Sequence, residues 1–238
     1  MARIGIQRRT RIIMGEMAHE AELRLWQLIS PALPLGAYAY SEGLESAISL
    51  GWVYDRDSLR KWLQGVGEQQ LATVDLVFLH RITSCLLKQD EAEALALNNR
   101  LLSRRETSEL RASDTHQGAA LRRLAAGLGL AFPETAPQKN QTTLAYALAM
   151  VGTIWRIGPA QQLRAYAWMW IENQVAAAIK TVPLGQTDGQ VVLMDMADQI
   201  PGWCARSSEV SLEHGAAAFG LSIISAQHET QYTRLFRS

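Results

Sequence analysis

Two cysteines in 238 residues, Cys85 and Cys204, are too few and too far apart for a disulfide scaffold. They lack CxxC spacing, and no secretory apolar segment opens the chain, so free thiols in a reducing cytosol are expected. Net charge is missing too, with 23 Lys and Arg against 23 Asp and Glu. That balance gives no electrostatic footprint for nucleic acid or an anionic membrane, and it removes a repulsive barrier to self-association. No uninterrupted apolar run approaches the ~20 residues of a spanning helix.

Catalytic and metal signatures are equally sparse. HExxH, GxxxxGK[ST] and GxSxG do not occur. His19, His80, His116, His214 and His228 never pair at i, i+4, and no cysteine lies beside one. A metal site built by this chain alone is therefore not expected, although a site shared across an interface stays open. His214 and His228 read as ordinary helical or helix-end residues. Asp75 and His80, five apart, are poorly spaced for a helical dyad. The carboxylates Glu42, Glu45, Asp75, Glu109 and Glu172 are scattered. Glu172 borders an apolar helix face, where partial burial and a structural role are expected. These absences favour a binding or scaffold protein over an enzyme.

Helical periodicity is abundant. Leu163, Tyr166, Ala167, Trp170, Ile171, Gln174, Val175, Ala178 and Ile179 share one face of a helix several turns long. Leu144, Ala147, Leu148, Val151 and Trp155 mark the helix before it. Gly158-Pro159 separates the two, which predicts an antiparallel hairpin. Asp55 is a candidate N-cap for a helix through Leu59, Trp62, Leu63 and Val66, and Asp75 for the next. Glu91–Leu102 and Glu106–Leu128 continue the series. Pro31 and Pro34 end a helix containing Leu25, Trp26, Leu28 and Ile29. Phe132–Gln141 reads as a loop, Val191–Ala197 as a short helix, Pro201-Gly202 as a turn and Ser207–Ser225 as helical. No alternating strand pattern or fixed-period repeat is evident. The expected fold class is all-α, a single helical-bundle domain of about ten helices over residues 22–227, with a C-terminal docking tail. Residues 1–21, where Arg3, Arg8, Arg9 and Arg11 alternate with isoleucines, read as a disordered arm or as an over-called start, with Met14 or Met17 the true one. A targeting peptide is the other reading.

Three segments carry the functional signal. The last eleven residues, 228–238, hold Tyr232, Leu235 and Phe236 interleaved with Arg234 and Arg237. A terminus ordinarily frays, and this composition is that of interface cores and hot spots. Docking is expected, either on the chain's own body or on another protein. The segment Leu33–Glu45 places two tyrosines and two carboxylates beside a helix start that Ser41 can cap. It reads as an inter-helix turn with aromatic packing or as a surface site. Lys180 closes the long helix before Val182-Pro183-Leu184-Gly185-Gln186, where its charge suits the helix dipole.

Taken together, Leu33–Glu45, Val182–Gln186 and the tail resemble the UreF family of urease accessory proteins. The resemblance runs from about Leu23 to Ser238 and includes Glu106–Arg111, Gly118 and the Glu172 helix into Lys180. It implies an all-α fold, often homodimeric, with no catalysis and no cofactor held by this chain. It implies cytoplasmic partners: a UreD/UreH-type protein, the GTPase UreG and apo-urease, with nickel handled only through the complex. On this resemblance Tyr232, Arg234, Leu235, Phe236, Arg237 and Ser238 are contacts to the UreD/UreH-type partner. Pro34, Gly36, Tyr38, Tyr40, Ser41, Gly43, Leu44, Glu45 and Lys180 fall on a GTPase-facing or regulatory surface. Family members often carry Ser-Asp-Ser where this chain has Ile29-Ser30-Pro31, so a role tied to that aspartate does not transfer. The tail is expected to be mobile, or placed differently, when the partner is absent.

Overall fold

Helix starts in this chain are written largely by short polar side chains. The computed structural model describes residues 19–213 and 218–237. The first helix, α1, covers residues 19–28 and stops ahead of Pro31 and Pro34. Most of the proposed N-terminal arm lies outside the described residues, and its last three positions belong to α1. The chain then turns through a 3₁₀ segment, Ala37–Ala39, into α2 (Leu44–Ser49). α3 (Arg56–Val66) begins at Asp55, whose carboxylate accepts the Ser58 N–H at 2.8 Å while Ser58 Oγ accepts the Asp55 N–H. That is a reciprocal capping box.

The expected cap at Asp75 is corrected by the structure. Helix continues from Arg56 to Leu87, and Gly67–Asp75 is wound as a π-helix between α3 and α4 (Leu76–Leu87). Asp75 has helical backbone angles and caps nothing. The wider winding breaks the 3.6 periodicity, which mimics a helix end in sequence. This stretch is apolar and long enough to cross a membrane by length and composition, yet 67% of an 18-residue apolar window within it is buried inside the fold.

Asp90, Thr107 and Thr143 cap α5 (Glu91–Ser103), α6 (Ser108–Gly127) and α7 (Leu144–Ile154). α7 is buried from Leu144 through Gly152, as expected of a helix apolar on every side. It packs on α4 and α6 at the centre of the core. Gly158-Pro159 opens α8 (Pro159–Thr181), with Pro in the first turn. α9 (Gln186–Ala197) starts earlier than the apolar pattern shows. α10 (Ile200–Glu209) absorbs Pro201-Gly202 into its first turn instead of turning there. The expected helix over Ser207–Ser225 is two helices, α10 and α11 (Phe219–His228), with non-helical backbone at 210–213. All regular elements among the described residues are helical.

Gly118 fixes how closely α6 meets the start of α7. A Cβ there would lie 2.1 Å from the Thr142 carbonyl oxygen and 2.6 Å from the Thr143 carbonyl carbon. Backbone cannot yield as a flexible side chain does. Gly118→Ala is therefore expected to cost about 2–3 kcal/mol by urea denaturation, an overpacking penalty that outweighs the gain in helix propensity.

Candidate functional site

The tail does not hang free; it is seated on the body. The Leu235 and Phe236 N–H groups donate to the two oxygens of the Glu45 carboxylate at 2.7 and 2.9 Å. The Arg237 N–H donates to the Ala39 carbonyl at 2.7 Å. Arg234 Nη1 donates to Glu109 Oε1 at 2.8 Å. Ser46 Oγ donates to Gln231 Oε1 at 3.0 Å. Phe236 is buried, and the Lys180 ammonium lies 5.9 Å from its ring centroid, within cation–π range. The three segments singled out in sequence thus meet on one surface: the turn before α2, the end of α8 and the C-terminus.

This seat divides the tail by direction. Phe236 faces inward, and Arg234 spends its guanidinium on Glu109. Tyr232, at 103% relative exposure, and Leu235, at 63%, face solvent. Ser238 and His214 lie outside the described residues.

The turn divides in the same way. Pro34 and Tyr38 are exposed, as is Lys180, whereas Tyr40, Ser41, Gly43 and Leu44 are buried. Those four form the floor of the surface. Tyr40 hydrogen-bonds His116, and its carbonyl accepts from Asn173 at 3.1 Å. Ser41 Oγ accepts the Glu45 N–H at 3.3 Å, so it caps weakly, although the helix proper starts after Gly43. Gly36 precedes the 3₁₀ turn with φ 71°. Gly43 has φ 85°, and a Cβ on it would meet Leu221 Cδ1 at 2.9 Å. Left-handed backbone and close contact with α11 together require glycine there.

His228 is the residue that sequence reading undervalued. It ends α11 as expected, but its ring is fully buried between two carboxylates. Nδ1 lies 2.7 Å from Glu109 Oε2, and Nε2 lies 3.2 Å from Glu45 Oε2. The two nitrogens point to opposite sides of the ring, so the three residues do not converge on one point. No group of three or more His, Cys, Asp or Glu among the described residues is arranged to hold a metal ion.

A second polar centre lies deeper. Glu42, Asp75, Arg105, Asp114, Gln117 and Tyr166 help line a cavity of about 70 Å³. Arg105 Nη2 meets Asp75 Oδ1 at 2.5 Å, and its Nε meets Asp114 Oδ2 at 2.8 Å. Asp114 Oδ1 accepts the Leu144 N–H at 2.7 Å. Glu42 accepts from Ser113 Oγ at 2.9 Å and from Trp170 Nε1 at 3.2 Å. Burial pushes the Glu42 carboxyl upward, and Asp75 likewise, with Arg105 pulling both back. Glu42 also has φ 51°, sparsely populated for a residue with a side chain. Glu109 and Glu172 are not in this cavity, and burial raises Glu172 beside a separate one of about 80 Å³. A carboxylate-based helical enzyme would need one pocket joining Glu172, Glu109 and Asp75, and neither cavity joins them.

The sequence model described as UreF matches residues 53–197. A urease accessory protein UreF from Alkalilimnicola ehrlichii is 45% identical over 225 residues, covering 92% of this chain and 96% of that protein. The chain belongs to the UreF family. Its relatives include a protein of the same name from Azoarcus, 43% identical over 91% of this chain and 95% of that protein. Another, from Teredinibacter turnerae, is 40% identical over 91% of this chain and 98% of that protein. By their names UreF proteins are accessory proteins rather than enzymes, in agreement with the non-enzymatic reading of the sequence. The family match ends at Ala197, before the tail, whereas the pairwise matches cover nine-tenths of the chain.

Proposed function

We propose that this chain is a urease maturation scaffold. It joins a UreD/UreH-type protein and the GTPase UreG in the cytoplasm, and the assembly delivers nickel to apo-urease. Family membership supports the urease role. The observation that carries the scaffold reading is the convergence of the turn, Lys180 and the tail on one surface, with Tyr232 and Leu235 presented outward. An exposed aromatic and an exposed leucine on a backbone already held in place offer contact area with little ordering cost. A chain of this kind ties GTP use to metal release by binding one nucleotide state of the GTPase more tightly than the other, since equal affinity shifts nothing.

Co-purification with the UreD-type protein, with and without residues 229–238, tests the tail. Binding that survives truncation would remove the tail from the interface. Tyr232→Ala and Leu235→Ala are each expected to weaken binding by roughly 10- to 100-fold while leaving the isolated chain's stability unchanged. For Lys180→Ala the readout is GTP turnover by UreG in the full complex. Unchanged turnover and unchanged urease activation would reduce Lys180 to a helix-end charge resting on Phe236.

A further inference from the structure

Glu172 is a carboxylate without a partner. It projects from α8 and is half-buried in the lining of the groove of about 80 Å³ beside the turn before α2. Burial raises its carboxyl, and no neighbouring cation pulls it back. Among the described residues its oxygens meet no hydrogen-bond donor and no ion-pair partner. Lys180, further along the same helix, is turned to the Phe236 ring, and Arg24 of α1 lies over Trp155. A carboxylate drawn partly out of water is stabilised by a cation that reaches it.

We propose that this groove docks an arginine side chain of a protein partner, with Glu172 as the carboxylate that receives its guanidinium. The wall is apolar and fixed before anything binds. Leu33 and Leu35 are buried in it, and their N–H groups donate to the Ser30 and Leu33 carbonyls at 2.9 and 2.7 Å. Met169 and Ala176 of α8 complete the wall. Tyr38, also in the lining, is 51% exposed and offers a ring at the mouth. Asn173 spends its Nδ2 on the Tyr40 carbonyl, which leaves its Oδ1 as a second acceptor beside Glu172. Apolar surface for a run of methylenes, ending in acceptors with no positive charge among them, is the complement of a long cationic side chain.

Arginine suits the groove better than lysine. A guanidinium is more weakly hydrated than an ammonium, so it loses less on entering a half-buried apolar groove. Its planar fork meets both oxygens of a carboxylate at once, and it stacks on an aromatic ring such as that of Tyr38. Arginine is also enriched in interface cores, where a few anchors carry most of the binding energy. A wall already in place needs little ordering to receive one. That the arginine belongs to a member of the maturation assembly rests on the scaffold reading; the groove's preference for arginine does not.

The test follows the Met169 methyl of the ¹³C-methionine-labelled full chain by NMR during titration with N-acetyl-arginine methylamide. Saturable binding in the millimolar range is expected. It should be roughly tenfold weaker for the uncharged citrulline analogue, and roughly tenfold weaker for the arginine compound in Glu172→Gln. No saturation by about 100 mM, or an unchanged affinity in Glu172→Gln, overturns the proposal. So does a citrulline or lysine analogue that binds as tightly as the arginine one. In the reconstituted assembly Glu172→Arg should weaken partner binding at least about tenfold, and an unaffected complex also overturns the proposal. A wild-type chain that binds the arginine compound but joins neither the UreD-type protein nor UreG would instead remove the scaffold reading and leave the groove's preference standing.

Discussion

Arg105→Met is expected to be the most damaging single substitution in the chain. Arg105 is 10% exposed and stands between Asp75 and Asp114, themselves 7% and 5% exposed. Removing one member of a buried ion network strands its partners, at about 3–5 kcal/mol, a large part of the roughly 5–15 kcal/mol that holds a domain folded. The damage should spread to α7, because Asp114 also accepts the Leu144 N–H at that helix's first turn. The pH dependence carries a definite sign. Burial already raises Asp75 with Arg105 present, and without the guanidinium its native proton affinity rises further. The native state then binds protons more tightly than the unfolded chain, so the mutant regains stability as pH falls and loses it as pH rises past the ordinary carboxylate range. Urea unfolding from about pH 4 to about pH 8 checks this, and equal losses at both ends would contradict it. Combining Arg105→Met with Asp75→Asn and Asp114→Asn should recover much of the loss, since Asn keeps an acceptor for Leu144 and neither ion-pair partner is left charged, with only Glu42 still deprived of the guanidinium.

The legible parts of the fold are those whose physics is local. Asp55 three residues before Ser58, and Gly158-Pro159 between two apolar stripes, announce helix starts from within a single turn, and the structure keeps both. Pro201 misleads because proline serves a turn and a helix's first turn equally well. Asp75 misleads because a π-helix shifts the phase of the apolar pattern as a break would. His228 was illegible for a different reason. Its partners Glu109 and Glu45 lie 119 and 183 residues away, and neither spacing nor periodicity carries information over that distance. Resemblance assigned the tail to one partner and the turn and Lys180 to another, and nothing in the sequence sets them side by side. The geometry does, through a carboxylate on α2 that receives two backbone amides from the far end of the chain. Residues 234–237 rest against the body through these contacts.

Phe236→Ala should release the tail while leaving the body nearly as stable as before. The ring is 6% exposed, so truncation removes most of a buried aromatic surface; in a core such a change costs about 3–5 kcal/mol. Phe236 is not core in the cooperative sense, because it can leave with the tail without unfolding a helix. The global loss is capped by the free energy that seats the tail, and local opening absorbs the remainder. The expected signature is a split. Leu235 and Arg237 amides should exchange roughly 100-fold faster, while the urea midpoint moves little. A midpoint shift as large as a core truncation would show instead that tail and body unfold as one unit. Tyr232→Ala provides the contrast within the same segment. Its side chain touches nothing that seats the tail, so exchange at Leu235 should be unchanged even where partner binding is lost. If both substitutions abolish binding but only Phe236→Ala frees the amides, Phe236 positions the tail and Tyr232 makes the contact. Were Tyr232→Ala to free the amides as well, that division of the tail into inner and outer faces would be wrong.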